Sequence, residues 1–433
     1  MNYADIINLI FSILTGIVSI LYIPFLIFGV IGLFKKKKFP KAKVQHRYGI
    51  IIPARNEEKV VGNLIESIRK NNYPQDKLDI IVMAHNCTDK TAEVARRYEG
   101  VKVYEYNNDN ERTKGYGLKY LFEQLKKDLP NGIEEYDGYF MFDADNLVEA
   151  NYFDKMNDAF DANGENAIIT SFRNSKNFGS NAISGMYGVY FLYACRFGMR
   201  GRAVCNVSSR VCGTGIVFSS KAVKDGWKYV TLTEDLEFTA DQLIDNHKII
   251  YCDDAQTFDE QPISFKVMWR QRVRWARGHL VVFATRLKDV FKNLFAKKSY
   301  KVSTFDLAAN LVPTFLIYGL LWVAQFALLL FAPLTGLALW PVLNSALLSL
   351  CWTLLTGYVT MVLTAAIMFI AERKRIQNVS PIKMFGIALI FPFFMALQFP
   401  IDFVAMCSKN LTWKTIPHVD TTNVSSLKDT KTE

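Results

Sequence analysis

Two carboxylates, Asp143 and Asp145, stand one residue apart where the run DGYFMFDADN (137–146) ends. Tyr139 to Phe142 read as a short buried strand. A strand end of that kind is a costly place to leave charge unpaired. Paired hard oxygen donors suit Mg²⁺ or Mn²⁺, and such a cation would neutralise a bound diphosphate. Taken alone, a solvated turn is the plainer explanation. Thr233, Glu234 and Asp235 open a helical pattern. They serve either as a cap with acids on the helix dipole or as a general base for an incoming hydroxyl. Gly213, Thr214 and Gly215 precede an apolar run, a turn that also lets a backbone approach a ligand closely.

A frame must bring these groups together. Ile50 to Ile52 form a strand stopped by Pro53, and Val60, Val61, Leu64, Ile65 and Ile68 follow at helical spacing. Strand, helix, strand and helix then alternate through LDIIVMAHNCTD (78–89), KTAEVARRY, VKVYEY (101–106) and GYGLKYLFEQLKKDL to the strand at 138. That rhythm predicts a mostly parallel sheet with helices on both faces, which binds ligands at the carboxyl ends of its strands. Those ends carry Arg55, Asn56 and Glu57; His85, Asn86 and Asp89; and Asp143 and Asp145. No G-x-G-x-x-G follows the first strand and no G-x-x-x-x-G-K-[ST] occurs, which disfavours a dinucleotide dehydrogenase and a P-loop nucleotidase.

The flanks are apolar. Residues 6–34 and 307–371 carry no charged side chain, and a span needs about 20 apolar residues. The first stretch predicts one anchoring helix; it lacks the basic start and cleavage site of a signal peptide. The second predicts two spans that turn within 331–341, and a fourth candidate runs from Met384 to about Met406 through Pro392 and Pro400. Lys35, Lys36, Lys37, Lys38, Lys41, Lys43 and Arg47 follow the first stretch. By the positive-inside rule they place residues 48–300 in the cytosol. The net charge of +10 lies largely beside the membrane, so it suits lipid headgroups rather than nucleic acid. Seven cysteines without a C-x-x-C pair argue against a disulfide frame or zinc site. The stretch 264–295 is basic and aromatic together, as in an interfacial helix. Residues 181–203 read as either a second interfacial helix or a buried one.

In order, PARNE, NCTD, KGYGL, DADN, GTG, TED and Q-x-x-R-W (Gln271, Arg274, Trp275) resemble the membrane-bound family 2 glycosyltransferases, which include cellulose, hyaluronan and poly-N-acetylglucosamine synthases. The resemblance covers about residues 48–280. It implies a GT-A nucleotide-sugar domain at 48–260, between an anchor and basic segment at 1–47 and interfacial helices at 261–303. Transmembrane helices at 304–408 and a polar tail at 409–433 would follow.

It also implies roles. Pro53, Ala54, Arg55, Asn56 and Glu57 would hold the uridine of a UDP-sugar. His85 stands where an acidic residue usually reads the base, with Asn86 and Asp89 following. Lys114 would lie near the diphosphate, and Asp143 and Asp145 would hold the nucleotide and its Mg²⁺ or Mn²⁺. Gly213, Thr214 and Gly215 would line the acceptor site, Asp235 would be the base beside Glu234, and Gln271, Arg274 and Trp275 would cover the acceptor end and the diphosphate. The expected activity is an inverting, processive polysaccharide synthase of the plasma membrane, multi-pass and acting on a growing glycan. The alternatives are single addition to a polyprenyl-phosphate or glycolipid, a paired-carboxylate hydrolase, and a non-catalytic membrane partner. LTWKTIPH (411–418) resembles the W-x-T-R element of polymerising members, with Ile416 in place of Arg; Trp413 could equally be an interfacial anchor.

Overall fold

The computed structural model describes residues 1–164, 166–377, 379–408, 418 and 420–422. Trp413 and Ile416 of the W-x-T element lie outside them. Eight strands form one sheet in the order β3-β2-β1-β4-β7-β6-β8-β5. They are β1 (Tyr48–Ala54), β2 (Leu78–His85), β3 (Lys102–Tyr106), β4 (Gly138–Met141), β5 (Leu147–Val148), β6 (Ile168–Ser175), β7 (Ile216–Ser219) and β8 (Ile249–Asp259). The first four are parallel, as the alternating pattern predicts. The other half is mixed: β7 runs antiparallel to both β4 and β6, and β8 runs parallel to β6.

The helices are α1 (Tyr3–Ile20), α2 (Ile23–Phe34), α3 (Val61–Arg69), α4 (Thr91–Arg96), α5 (Lys114–Asp128), α6 (Tyr152–Asp161), α7 (Ala182–Tyr193), α8 (Gly201–Val204), α9 (Glu234–Ile244), α10 (Phe265–Phe295), α11 (Lys301–Leu311), α12 (Thr314–Leu329), α13 (Leu339–Ala371), α14 (Pro381–Ala396) and α15 (Gln398–Cys407). The pleat divides the strand at 138–142 between two cores. Phe140 and Phe142 pack with Leu64 and Ile68 of α3 and with Phe153 and Met156 of α6. Tyr139 and Met141 pack with Leu118, Phe122 and Leu125 of α5. Apolar side chains thus anchor the strand on both faces, and its polar end projects beyond them.

Among the described residues three helices are long and apolar enough to cross a membrane: α1, α13 and the joined Pro381–Cys407. The pair α11 and α12, bent by 50°, makes up to a fourth. The turn between α12 and α13 falls at Ala332–Gly336, inside the stretch expected to turn. The first apolar stretch differs from expectation in being two helices. Pro24 removes an N–H and crowds the preceding turn, and the chain breaks at Leu21–Tyr22. Residues 182–204, α7 to α8 with a π-helical turn between, are largely buried. They pack on α2, α13 and α14. Both ends of Pro381–Cys407 are tied to the loop after β6 and to α10. Lys383 donates to the Gly179 carbonyl at 2.6 Å, and Arg272 donates to the Phe394 carbonyl at 2.6 Å. Arg277 donates to the Ala405 carbonyl at 3.5 Å.

Candidate active site

One cavity of about 760 Å³ runs from the carboxyl ends of β1, β2 and β4 to the apolar helices. At its donor end the loop after β4 sets the two carboxylates. The Asp143 N–H donates to Thr214 Oγ1 at 3.0 Å, and the Asn146 N–H donates to the Asp143 carbonyl at 3.0 Å. The Asp143 carboxylate accepts from Lys114 Nζ at 2.6 Å, and the same ammonium donates to the Gly213 carbonyl at 2.8 Å. Lys114 is the first residue of α5. The next residue must be glycine, because a Cβ on Gly115 would lie 2.0 Å from the Tyr229 carbonyl oxygen. Gly115 therefore lets α5 press on the 229–230 loop, and that approach aims Lys114 into the cavity. Burial alone would lower the Lys114 pKa, but Asp143, Glu234 and Asp235 outweigh it and raise it.

Asp145 is buried and accepts the Glu260 N–H at 2.8 Å. His418 stands opposite. Its Nδ1 is 2.9 Å from both Glu57 carboxylate oxygens, and its Nε2 is 3.9 Å from Asp145. Burial pulls His418 down, but Asp145 and Glu57 hold it up at about 10. Burial pushes Glu57 up to about 7 despite the imidazole. Asp143, Asp145 and Glu57 offer hard oxygen donors. Among the described residues no group of three or more His, Cys, Asp and Glu could hold a metal unaided. The donor set therefore fits a divalent ion whose remaining ligands come from phosphate oxygens and water.

Glu234 and Asp235 line the cavity, in the first turn of α9. Asp235 Oδ1 accepts the N–H of Leu236 at 2.9 Å. Burial raises the pKa of Asp235, while that helix N–H, Lys114 and Arg274 pull it back. Burial pushes Glu234 up to about 7, with Lys114 opposing and Asp235 adding to the rise. Across from them, Arg274 donates to the Leu232 carbonyl at 3.1 Å. Gly278 permits this closeness, since a Cβ there would meet Thr233 Cγ2 at 2.4 Å. Gln271 accepts from the Tyr187 hydroxyl at 2.7 Å, and Trp275 meets the Tyr187 ring edge-on at 6.1 Å.

Pro53, Ala54, Arg55, Glu57, His85, Lys114, Asp143, Asp145, Gly213, Glu234, Asp235, Gln271, Arg274 and Trp275 all line this cavity. Asn56, Asn86, Asp89, Thr214 and Gly215 do not, and their polar groups are engaged in the supporting loops. Asn56 (φ 59°) accepts the Thr88 N–H at 2.7 Å, and Asn86 (φ 51°) accepts the Asn108 N–H at 2.6 Å. Asp89 accepts from Thr91 N–H at 3.0 Å and Glu58 N–H at 3.1 Å. Thr214 bridges Asp143 and Asn146. Gly215, at φ 64°, lies against Ser171. His85 donates from Nε2 to the Glu111 carbonyl at 2.8 Å and stacks on Tyr106.

Sequence reasoning missed Arg173, whose guanidinium pairs with Asp259 at 2.7 Å and lies 4.0 Å from the Phe191 ring centre. It also gave no role to Tyr187, Arg210 or His418. None of these has a local signal: Asp259, Gln271 and Glu57, which Arg173, Tyr187 and His418 meet, lie tens to hundreds of residues away.

Residues 46–278 match the family described as Glycosyltransferase like family 2. The chain is similar to the probable glycosyltransferase YdaM of Bacillus subtilis, at 27% identity over 59% of this chain and 59% of that protein. It is 23% identical to a poly-beta-1,6-N-acetyl-D-glucosamine synthase of Staphylococcus epidermidis, over 66% of this chain and 67% of the relative. It is 23% identical to a beta-monoglucosyldiacylglycerol synthase of Synechocystis sp., over 67% of this chain and 60% of the relative. The chain thus spans about six-tenths to two-thirds of these relatives' own length. The mannosyltransferase PcManGT of Pyrobaculum calidifontis, solved with GDP-Man and Mn²⁺, superposes with a TM-score of 0.57 at 16% identity. The match covers 86% of this chain and 98% of that one, a likeness of fold. With more than half of its length matched by the family, the chain belongs to glycosyltransferase family 2 and carries a GT-A catalytic domain.

Proposed function

We propose that the chain is a multi-pass plasma-membrane enzyme with its catalytic domain in the cytosol. In this reading it transfers a sugar from a UDP-sugar to a growing cell-surface polysaccharide with inversion. The carrying observation is one continuous cavity that is lined both by the strand-end crevice and by the apolar helices, and by Glu234 and Asp235. Its acceptor side is walled by Tyr187, Tyr190, Tyr193 and Trp275, rings on which sugar faces can stack.

The base contact falls to His85 and Arg55, since Asp89 is engaged at α4. The diphosphate lies between Lys114 and the Asp143–Asp145 loop. Asp235 takes the proton of the acceptor hydroxyl as that oxygen bonds to the anomeric carbon and the bond to the diphosphate breaks. Lys114 and Arg274 stabilise the negative charge that develops on the departing nucleoside diphosphate. Mg²⁺ or Mn²⁺ at Asp143 and Asp145, with Glu57 and His418 nearby, would supply further charge neutralisation at the same oxygens.

A second reading is single addition to a polyprenyl-phosphate or glycolipid. It is favoured by which residues wall the cavity: Leu21, Tyr22, Phe25, Leu26, Thr314 and Phe315 do, and none of the residues of α1 does. The test is nucleoside-diphosphate release by the purified chain in lipid, with a panel of UDP-sugars and Mn²⁺ or Mg²⁺. Asp235→Asn is run alongside, and products are sized. Metal-dependent release with a ladder of products supports the first reading. One sugar on an added lipid supports the second. No release with any donor sinks both.

A further inference from the structure

Seven arginines line the cavity, and six of them donate to an oxygen. Arg55 and Arg274 use the carbonyls of Arg112 and Leu232, and Arg112 and Arg173 use the carboxylates of Asp109 and Asp259. Arg202 binds Asp306 through two bonds of 2.7 Å, and Arg272 binds the Phe394 carbonyl and Gln398. Arg210 is the exception. Among the described residues it makes no hydrogen bond to oxygen and has no carboxylate within 4.0 Å. The group beside it is the Cys212 thiol. A guanidinium held in a cavity without a counter-ion costs several kcal/mol, so its retention there points to an anion that arrives with a ligand.

The position of Arg210 says which ligand. Lys114 and Arg274 act with Asp143 and Glu234, at the donor end. Arg210 feels Asp235 as they do, and Asp306 besides. Asp306 is already saturated by Arg202, and Asp235 is the proposed base. Arg210 therefore belongs to the acceptor side. His279, whose Nε2 is buried without a hydrogen-bond partner, is on the same wall and feels the Arg210 charge. Tyr193, also within the field of Arg210, meets Phe25 of α2 at 5.6 Å. From there the wall takes Leu26, Phe315 and Met361 from the apolar helices, beside the polar Thr314, Gln398 and Asp402.

We propose that Arg210 binds the oxyanion, phosphate or carboxylate, of a membrane amphiphile whose tail lies along these helices and whose hydroxyl is presented to Asp235. This rests on the transferase reading, and in repeated addition the amphiphile is the first acceptor. The hydroxyl oxygen bonds to the anomeric carbon, its proton goes to Asp235, and the nucleoside diphosphate leaves; the oxyanion on Arg210 is unchanged.

The test uses the full chain in phosphatidylcholine nanodiscs. Dodecyl phosphate, dodecanoate, dodecanol and inorganic phosphate are the probes, titrated calorimetrically, and UDP with Mn²⁺ is titrated into the same samples. The expected result is that an anionic amphiphile binds at least ~10-fold more tightly than dodecanol. Arg210→Gln should weaken that binding about 10- to 100-fold, the scale of charge-assisted hydrogen bonds, and Arg210→Lys should keep most of it. Equal binding by wild type and Arg210→Gln, or no preference for the anionic probes, overturns the proposal. Inorganic phosphate binding as tightly as dodecyl phosphate overturns the amphiphile. If Arg210→Gln also fails to bind UDP, it has not folded. Arg210→Lys then decides, and loss of the probe from a lysine variant that still binds UDP overturns the site. Failure of wild type to bind UDP would undo the donor reading and leave the anion result standing by itself.

Discussion

The two ends of the cavity are built differently. The donor end is assembled from strand ends and the residues just beyond them: Pro53 to Glu57 after β1, His85 on β2, and Asp143 and Asp145 after β4. Its charges are paired, Asp143 with Lys114 at 2.6 Å and Glu57 with His418 at 2.9 Å. The proposed acceptor end is assembled from helices that meet across the sequence, α2, α7, α10, α12 and α15, and it holds Arg210, which has no ion pair among the described residues. A parallel sheet places the carboxyl ends of its strands side by side whatever the loops contain. A wall of helices has no such fixed edge. The donor end is therefore the standardised part of the molecule and the acceptor end the particular part.

That contrast can be tested at Asp235 first. Asp235→Asn should lower transfer by about 10²- to 10⁴-fold while UDP binding persists. A parallel loss of UDP affinity would show that Asp235 serves the donor end instead. Lys114→Ala should act on the other side, weakening UDP binding by about 10- to 100-fold through loss of a charge-assisted contact, as read by titration with UDP. Gly278→Ala places a methyl against Thr233, where a Cβ would approach to 2.4 Å. Overpacking of this kind costs about 1–3 kcal/mol. It should reduce kcat by displacing the Glu234–Asp235 turn, with the UDP Kd nearly unchanged.

The acid limb of the rate against pH offers a finer probe. In the proposed mechanism the base works only when ionised, and burial raises the pKa of Asp235. Transfer should therefore be lost on acidification at a higher pH than an exposed aspartate would give. Each of the two carboxylates disfavours the charge of the other, as the effect of Asp235 on Glu234 indicates. Glu234→Gln should accordingly move the acid limb to lower pH; a limb that stays in place would separate the two groups. Tyr187→Phe removes one hydrogen bond to Gln271. It should raise the acceptor KM by no more than about 10-fold, the equivalent of ~1 kcal/mol, and leave UDP binding alone.

Legibility in the sequence followed the same division. The parallel half of the sheet was readable because short apolar runs alternate with helical spacing, and the D-x-D pair was readable because it ends such a run. The mixed half was not, since β7 enters antiparallel between β4 and β6, and no local pattern encodes which neighbour a strand will take. Asn56, Asn86 and Asp89 looked like ligand contacts because they are polar and follow strands. They are held by Thr88, Asn108 and Thr91, partners that composition alone cannot assign. The first apolar stretch looked like one helix because charge was absent throughout, and only Pro24 hinted at the break.

The sequence by itself determined a GT-A domain, the D-x-D and T-E-D carboxylates, the Q-x-x-R-W element and the apolar flanks. All of these are local: adjacent residues, or one period repeated along one element. The tertiary structure alone decided that Lys114 neutralises Asp143, that His418 faces Glu57 and Asp145 from the far end of the chain, and that Arg210 is left without a counter-ion among the described residues. It also decided that Pro381–Cys407, as apolar as α13, is tied at its two ends to the loop after β6 and to α10. Pairing and desolvation depend on which distant side chains arrive at the same point, and that is a property of the packed chain rather than of any stretch within it.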